Sequence, residues 1–462
     1  MLLTIAKNPM NYRKMLFPKI IDITRIQVDI SILWIVLFVI LLPGFSHSQH
    51  SSKLKEYEVR VLEANLSKKA DELNIQIAEN NLNKGLAGLT PSVGLTAGDN
   101  ISMTSNITES ATTVNKNGFR VNNSVNAGIF ANMALYNGGR NKNLYERYKI
   151  LIDQANLNQR ELAEQLIFQI RSLYYQAIRQ NQLIKATEKA ISYADQRLQL
   201  ATNKLDIGKG NKVDVLQAEV DRNQYASEIE MYKNDLDNIY VQMNALMNLP
   251  LGNRPEITDS SFSIQSIDKE EIRRSMLSQH TEIIRNKINY NLSINKLQDA
   301  KGMWKPSLNA SLGYSFSRSD NGGGFFRVNS SNGIAGGVTL NVPIYDGKAI
   351  KTQIKNAELT TKQVEIQQEG LVLNLTTELD RYYNNYKNAM KLLEIQKANV
   401  LNADENIKIG FSRFQSGLTD GFEFKQIQQS YTDANFRYID VLYQAKLNEL
   451  QLNYLSGQIL EN

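Results

Sequence analysis

Apolar residues recur along most of the chain at alternating steps of three and four, the spacing of one side of an α-helix. Between residues 140 and 207 this spacing continues without glycine or proline, as at Leu166, Ile170 and Leu173, with a second apolar edge beside it. Two adjacent apolar edges favour a helix packed between two neighbours. Such a helix would be ~100 Å long, more than a compact globular domain needs. Helices are predicted over residues 51–84, 140–207, 211–249, 272–300, 348–416 and 422–456.

Four shorter segments alternate apolar and polar residues with period two, which is typical of β-strands. In the clearest of them, Leu308, Leu312 and Phe316 alternate with small polar residues. Strands of about ten residues with one apolar side and one side of Asn, Ser, Thr and Gly favour membrane strands around a wetted lumen. A half-buried sheet in a soluble domain shows the same alternation and is the alternative. Strands are predicted over residues 91–103, 124–136, 306–317 and 335–345.

The chain contains two copies of one structural unit. Tyr136 and Tyr345 close equivalent strands 209 residues apart, and Gly208 and Gly417 follow the long helices at the same separation. Each unit is a strand pair followed by a long helical hairpin. A period of this size is far above the roughly 20–50 residues of solenoid repeats, so it indicates duplication of half a domain. The first copy is assigned to residues 49–250, a linker to 251–271 and the second copy to 272–462.

Residues 30–42 form a short apolar run, which basic residues precede and small residues follow. A membrane span needs about 20 apolar residues, so residues 1–48 are predicted to be a secretory signal peptide, with a retained anchor as the alternative. Without residues 1–48, basic residues exceed acidic ones by only two, 47 against 45. This balance gives no reason to expect a nucleic-acid partner.

The composition also argues against an enzyme. There is no cysteine, which excludes disulfides, cysteine metal sites and a thiol nucleophile. Of the three histidines, His47 and His50 lie beside the predicted processing site. His280 by itself cannot form a metal site and is expected to face solvent on a helix. The sequence from Gly208 to Lys212 lacks the spacing of a phosphate-binding loop. No cofactor is expected.

Four strands cannot close a barrel. An open strand edge in hydrocarbon would leave backbone N–H and C=O groups unsatisfied, at several kcal/mol each. The smallest closed membrane barrels have about eight strands. A membrane location therefore requires oligomerisation, and both a dimer of eight strands and a trimer of twelve remain open.

In these features the chain resembles the outer membrane efflux protein family, the TolC-like channels, over essentially all of the mature region. The resemblance rests on the order of signal, strand pairs and hairpins, and on Val213-Asp214-Val215-Leu216-Gln217-Ala218 after the first helix tip. It implies an α+β membrane protein, a homotrimer with a 12-stranded β-barrel in the outer membrane and a 12-helix α-barrel in the periplasm. It also implies a passive exit duct of a tripartite efflux or type I secretion system. Such a duct receives substrates from an inner-membrane RND or ABC transporter through a periplasmic adaptor (membrane fusion protein). A periplasmic adaptor, or a coiled-coil scaffold without a pore, is the alternative.

By the same resemblance, the helix tips would dock the adaptor. Gly208 and Gly417 would let helices approach closely, although glycine commonly just ends a helix. Apolar contact would come from Leu205, Ile207, Phe414 and Leu418. The aromatic-and-arginine latch of some family members is not expected, because Phe414 and Thr419 stand at its positions.

Asp214 and Glu423 each lie six residues after a tip glycine. By the resemblance, three copies would place six carboxylates near the axis at the periplasmic entrance, where they would favour cations. The alternative is that each is an ordinary first-turn acid, which stabilises a helix N-terminus.

Overall fold

The structure is a computed structural model that describes residues 52–105, 107–109, 114–116, 119–322 and 327–461. The signal predicted over residues 1–48 lies outside the described residues, as do parts of the loops within the two strand pairs.

Within these residues, helices form most of the fold, and the two longest have 67 residues each. Long apolar edges without internal proline allow helices of this length. The helices are α1 Ser52–Ala64, α2 Leu66–Asn81, α3 Arg140–Asp206, α4 Lys212–Leu246, α5 Lys269–Gln279, α6 Thr281–Gly302, α7 Ala349–Gln415 and α8 Gly421–Ser456.

Two predicted helices are each broken in two, which corrects the sequence-based assignment. The helix predicted over 51–84 is α1 and α2, because the side chain of Asn65 accepts hydrogen bonds from the backbone N–H groups of Ser67 and Lys68. The helix predicted over 272–300 is α5 and α6, where His280 Nδ1 accepts from the N–H of Glu282 at 3.3 Å. The prediction that His280 faces solvent is wrong: it is buried at this break.

The described strands are β1 Ser92–Thr104, β2 Ile107–Glu109, β3 Val114–Lys116, β4 Arg120–Asn137, β5 Ser307–Asn321 and β6 Val328–Asn341. Four of them form an antiparallel sheet in the order β1-β4-β5-β6, and a small hairpin, β2–β3, was not predicted. β6 ends at Asn341, before the predicted end at 345, because Asn341 pairs with Ser307, the first residue of β5.

The strand register puts most apolar residues of all four strands on one face, with Phe130 on the opposite face beside Gly313. Leu95 lies opposite Ile129, Ile129 opposite Tyr314, and Tyr314 opposite Ile334. All four side chains are exposed. The other face carries small polar residues, among them Ser92, Thr96, Asn126, Asn132, Asn309, Ser315, Ser331 and Thr339. An apolar face left exposed on a sheet of this length requires a covering, and the described residues of one chain do not supply it.

The main core lies at mid-height of the helices around α3. Ile170, Tyr174 and Ile178 are fully or almost fully buried, in one cluster with residues of α1, α4 and α8. Burial on both apolar edges confirms that α3 packs between neighbours. A buried ion pair, Arg171 Nε to Glu58 Oε1 at 2.6 Å, ties α3 to α1.

Candidate functional site: the helix tips

Each long hairpin turns back through a glycine in the left-handed region. Gly208 has φ of 72° and Gly417 has φ of 73°. In the first turn the N–H of Lys209 donates to the carbonyl of Lys204 at 2.8 Å, which closes the end of α3. No heavy atom lies within 4 Å of where a Cβ would stand on either glycine. Both glycines are therefore required by backbone conformation, and the space beside them is open.

The return helices begin at equivalent capping residues. The side chain of Asn211 accepts from the N–H of Val213 at 3.0 Å and so caps α4. Asp420 caps α8 by accepting from the N–H groups of Phe422 and Glu423. These caps satisfy backbone donors that a helix start leaves free, so both return helices are capped in the same way.

Four apolar side chains at the tips are largely exposed, at 64–71%: Ile207, Val213, Leu418 and Phe422. We call these residues the tip apolar group. Ile207 and Leu418 were singled out from the sequence, and Leu205 is half-buried. Val213 and Phe422 were not singled out from the sequence. They occupy equivalent positions directly after the capping regions, and this equivalence is the signal that could have identified them.

Phe414 does not belong to this exposed surface. It is 4% exposed, and its ring stacks on Phe424 with centroids 5.1 Å apart. Lys204 Nζ lies 5.0 Å from the same ring centroid. The expectation that Phe414 supplies surface contact does not fit this burial; its place is in the core that joins α7, α8 and α3.

The two candidate entrance acids lie at equivalent places on the two return helices. Asp214 is in the first turn of α4 and Glu423 in the first turn of α8, and both are exposed. This position fits a first-turn acid at a helix N-terminus. A ring of carboxylates requires further copies of the chain and stays a prediction.

A buried ion cluster, not foreseen from the sequence, joins the two hairpins just above the tips. Asp221 on α4 accepts from Arg197 on α3 and from Lys425 on α8, both at 2.7 Å. Gln217 Nε2 donates to the same carboxylate at 2.9 Å. Burial raises the pKa of Asp221, but the donors Lys425, Arg197 and Gln217 outweigh burial and hold it below its usual value. The cluster fixes one hairpin against the other.

The cluster borders a cleft of about 380 Å³ between the tips. Arg197, Lys204, Lys209 and Lys425 line it together with Asp214 and Asp420. Arg197 and Lys425 are already paired with Asp221, and the entrance acid Asp214 lies within the cleft, so its lining carries charges of both signs.

Among the described residues, no group of three or more His, Cys, Asp or Glu could hold a metal ion. In the same part of the chain, no helix is both long and apolar enough to cross a membrane.

Comparison with known proteins assigns the family. The family model described as outer membrane efflux protein matches residues 59–249 and 295–458, so it covers both hairpins and both strand pairs. This is a family of transport channels and not of enzymes.

Individual relatives are distant. Outer membrane efflux protein BepC of Brucella suis biovar 1 is 22% identical over 245 residues, 52% of each chain, so the match spans about half of that relative. Outer membrane protein TolC of Vibrio cholerae is 20% identical over 381 residues, 81% of this chain and 84% of that protein.

Solved structures agree on the fold. A membrane protein from Pseudomonas aeruginosa has a TM-score of 0.74 at 16% identity, over 88% of this chain and 90% of that one. The CmeC outer membrane channel of Campylobacter jejuni has a TM-score of 0.70 at 14% identity, over 88% of this chain and 86% of that one. The family match and these structures together confirm the predicted TolC-like α+β fold, while neither the adaptor nor the scaffold alternative is supported. The chain belongs to the outer membrane efflux protein family.

Proposed function

We propose that three copies of the chain form a passive exit duct, with the strands in the outer membrane and the helices as a tunnel in the periplasm. The observation that carries this proposal is the four-stranded sheet, which is apolar and exposed on one face and lined with Ser, Asn and Thr on the other. On β5 the apolar side runs from Leu308 to Phe316 before the ion pair of Arg318 and Asp320 begins. This length suits a membrane strand of about 9–11 residues.

The open edges of the sheet support assembly. Among the residues that the structure describes, β1 and β6 each pair on one side only. In hydrocarbon, their free backbone groups would cost several kcal/mol each. Three sheets of four strands, joined edge to edge, would leave no edge unpaired.

Channels of this family are trimers that work with a periplasmic adaptor and an inner-membrane pump. For this chain we assign adaptor docking to the tip apolar group around Gly208 and Gly417. Four exposed apolar side chains on a narrow tip form the kind of patch that a protein partner covers. The pump supplies the energy, since the duct itself is passive.

The overall proposal is tested by fractionation and conductance. The protein should fractionate with outer membranes, run as a heat-labile trimer in detergent and form pores in planar bilayers. A water-soluble monomer in the absence of detergent would refute the duct.

Docking is tested separately by a double substitution, Ile207→Ser with Leu418→Ser. The variant should keep its trimer and its conductance but fail to restore efflux to a strain that lacks the native gene. Met231→Ser with Leu401→Ser is the matched control, because both residues are exposed apolar positions away from the tips. Full efflux by the tip variant would remove the docking assignment.

A further inference from the structure

The polar face of the sheet carries one large apolar side chain among small residues. On the described strands, the paired residues of this face are glycine, alanine, serine, threonine and asparagine, apart from Arg120 at the start of β4 and Phe130 in its middle. Phe130 is the only aromatic residue among them, because the register puts Tyr136, Tyr314 and Phe316 on the apolar face. The polarity of this face therefore does not account for the ring.

The ring of Phe130 lies against the sheet, over two glycines. Phe130 pairs with Gly94 of β1 on one side and with Gly313 of β5 on the other. A Cβ on Gly313 would overlap the ring atom Cδ1 and would lie 3.0 Å from Cε1. A Cβ on Gly128, two residues before Phe130 on β4, would lie 2.7 Å from Cε2. The ring therefore occupies the space that side chains at Gly128 and Gly313 would need.

The burial of these residues agrees with this placement. Among the described residues of β1, β4, β5 and β6, Gly128 is the only buried one. Phe130 is 37% exposed, whereas Val93 and Leu95 on the opposite face are 70% and 73% exposed. Gly94 has no heavy atom within 4 Å of where its Cβ would stand. The ring thus leans across β4 and β5 and leaves Gly94 of β1 uncovered.

A ring in this position acts on both the sheet and the space in front of it. Glycine inside a strand offers no side chain to pack, and an aromatic ring from the neighbouring strand supplies the missing contact. Because β4 belongs to the first half of the chain and β5 to the second, this contact lies on the strand pair that joins the halves. A side chain at Gly128 or Gly313 would turn the ring into another rotamer, away from the sheet.

We propose that Gly128 and Gly313 form a glycine seat, which holds the ring of Phe130 flat against the lumen wall. The seat fastens β4 to β5 and keeps the passage wide at the middle of the strands. This inference rests on the proposed function, in which the polar face lines the lumen, and three copies would bring three rings to one level. Gly128 and Gly313 are positioning residues, because they act on the passage through Phe130.

The heat stability of the trimer in detergent tests the seat. Gly313→Ala should lower the temperature at which the trimer dissociates, because the new methyl group displaces the ring. In a Phe130→Ala background the same substitution should lose most of this effect, since only the carbonyl of Ile129, at 3.0 Å, still faces the new Cβ. An equal loss in both backgrounds would overturn the seat.

The matched control is Gly94→Ala. Gly94 flanks Phe130 on the same face as Gly313, but a Cβ there meets open space. Its dissociation temperature should stay the same or rise slightly, because alanine loses less conformational freedom on folding than glycine does. Equal losses in Gly94→Ala and Gly313→Ala would contradict the seat. If Gly313→Ala forms no trimer, adding Phe130→Ala should recover the trimer, and a failure to recover it would equally overturn the seat.

Polymer exclusion in planar bilayers measures the width of the passage. Polyethylene glycols of increasing size are added on the strand side of the pore, and the largest polymer that still lowers the conductance gives the size limit. Gly313→Ala should lower this limit, because displaced rings stand in the lumen, and Phe130→Ala with Gly313→Ala should restore it. Gly128→Ala is a second variant with the same expectation. An unchanged limit in both glycine variants would overturn the role of the seat in the passage.

The outcomes separate this inference from the proposed function. Native pores whose stability and size limit do not respond to Gly128→Ala or Gly313→Ala would overturn the seat and leave the duct standing. A native protein that forms no pores would overturn the duct, and the passage role with it.

Discussion

The buried carboxylate of Asp221 is expected to carry much of the local stability of the helix tips. Its side chain is 9% exposed and that of Arg197 is 6% exposed. In an Asp221→Asn variant, the guanidinium of Arg197 stays buried without an anion, which costs about 3–5 kcal/mol. Lys425 is 35% exposed and can turn to water, so it adds little to this cost.

The chain supplies a matched control for this substitution. Asp195 and Arg222 also join α3 to α4 at 2.8 Å, but their side chains are 51% and 41% exposed. An exposed pair of this kind contributes about 0–1 kcal/mol. Asp195→Asn therefore removes a carboxylate from the same helix pair while leaving no buried charge behind.

Hydrogen–deuterium exchange at the tips measures the difference, because amide exchange reports local opening. With about 1.4 kcal/mol for each factor of ten, the cost of about 3–5 kcal/mol means that Asp221→Asn should speed exchange of the last turns of α3 and first turns of α4 by roughly two to four orders of magnitude. Asp195→Asn should change it by about fivefold or less. Equal effects of the two substitutions would refute the reasoning.

The pH dependence has a definite sign. The pKa of Asp221 in the folded protein is held below its usual value. As pH falls, Asp221 is therefore protonated in the unfolded chain before it is protonated in the folded one. Tip stability should be fully present at neutral pH and fall only as pH drops below the ordinary aspartate range. The Asp221→Asn variant should lack this loss.

Three other changes test separate parts of the structure. Burial lowers the pKa of His280 from about 6.5, so the native protein should lose thermal stability as pH falls below that value. His280→Asn places at this helix break the residue type of Asn65, which caps the break between α1 and α2, and should abolish the loss. An unchanged pH profile of thermal stability in the variant would contradict this expectation. Asp214→Ala with Glu423→Ala should raise single-channel conductance or reduce cation preference in planar bilayers, and identical currents would exclude the entrance ring. Gly417→Ala should lower the free energy of unfolding by about 1–2 kcal/mol through left-handed backbone strain alone. Gly457→Ala should lower it more, because the new Cβ would also lie 2.8 Å from the backbone of Gln279. Equal losses of thermal stability in the two variants would contradict the predicted clash with Gln279.

The sequence by itself determined the repeating architecture. Helical periodicity uninterrupted by proline specifies long helices, alternation specifies strands, and glycine marks the turns at Gly208 and Gly417, because each of these signals is local. Because the same signals recur 209 residues later in the second half, the sequence also indicated the duplication and the resemblance to the family. Exposed Ile207 and Leu418 at the turns could be singled out for the same reason.

Only the tertiary structure decided how these elements meet. The breaks at Asn65 and His280, the burial of Phe414 and the ion cluster at Asp221 all depend on which helix lies opposite, and periodicity does not encode that partner. The early end of β6 has the same origin, since a strand extends only as far as a neighbour offers backbone groups to pair with. Local pattern thus specified which elements form, and contacts between distant segments specified where they stop and which side chains they bury.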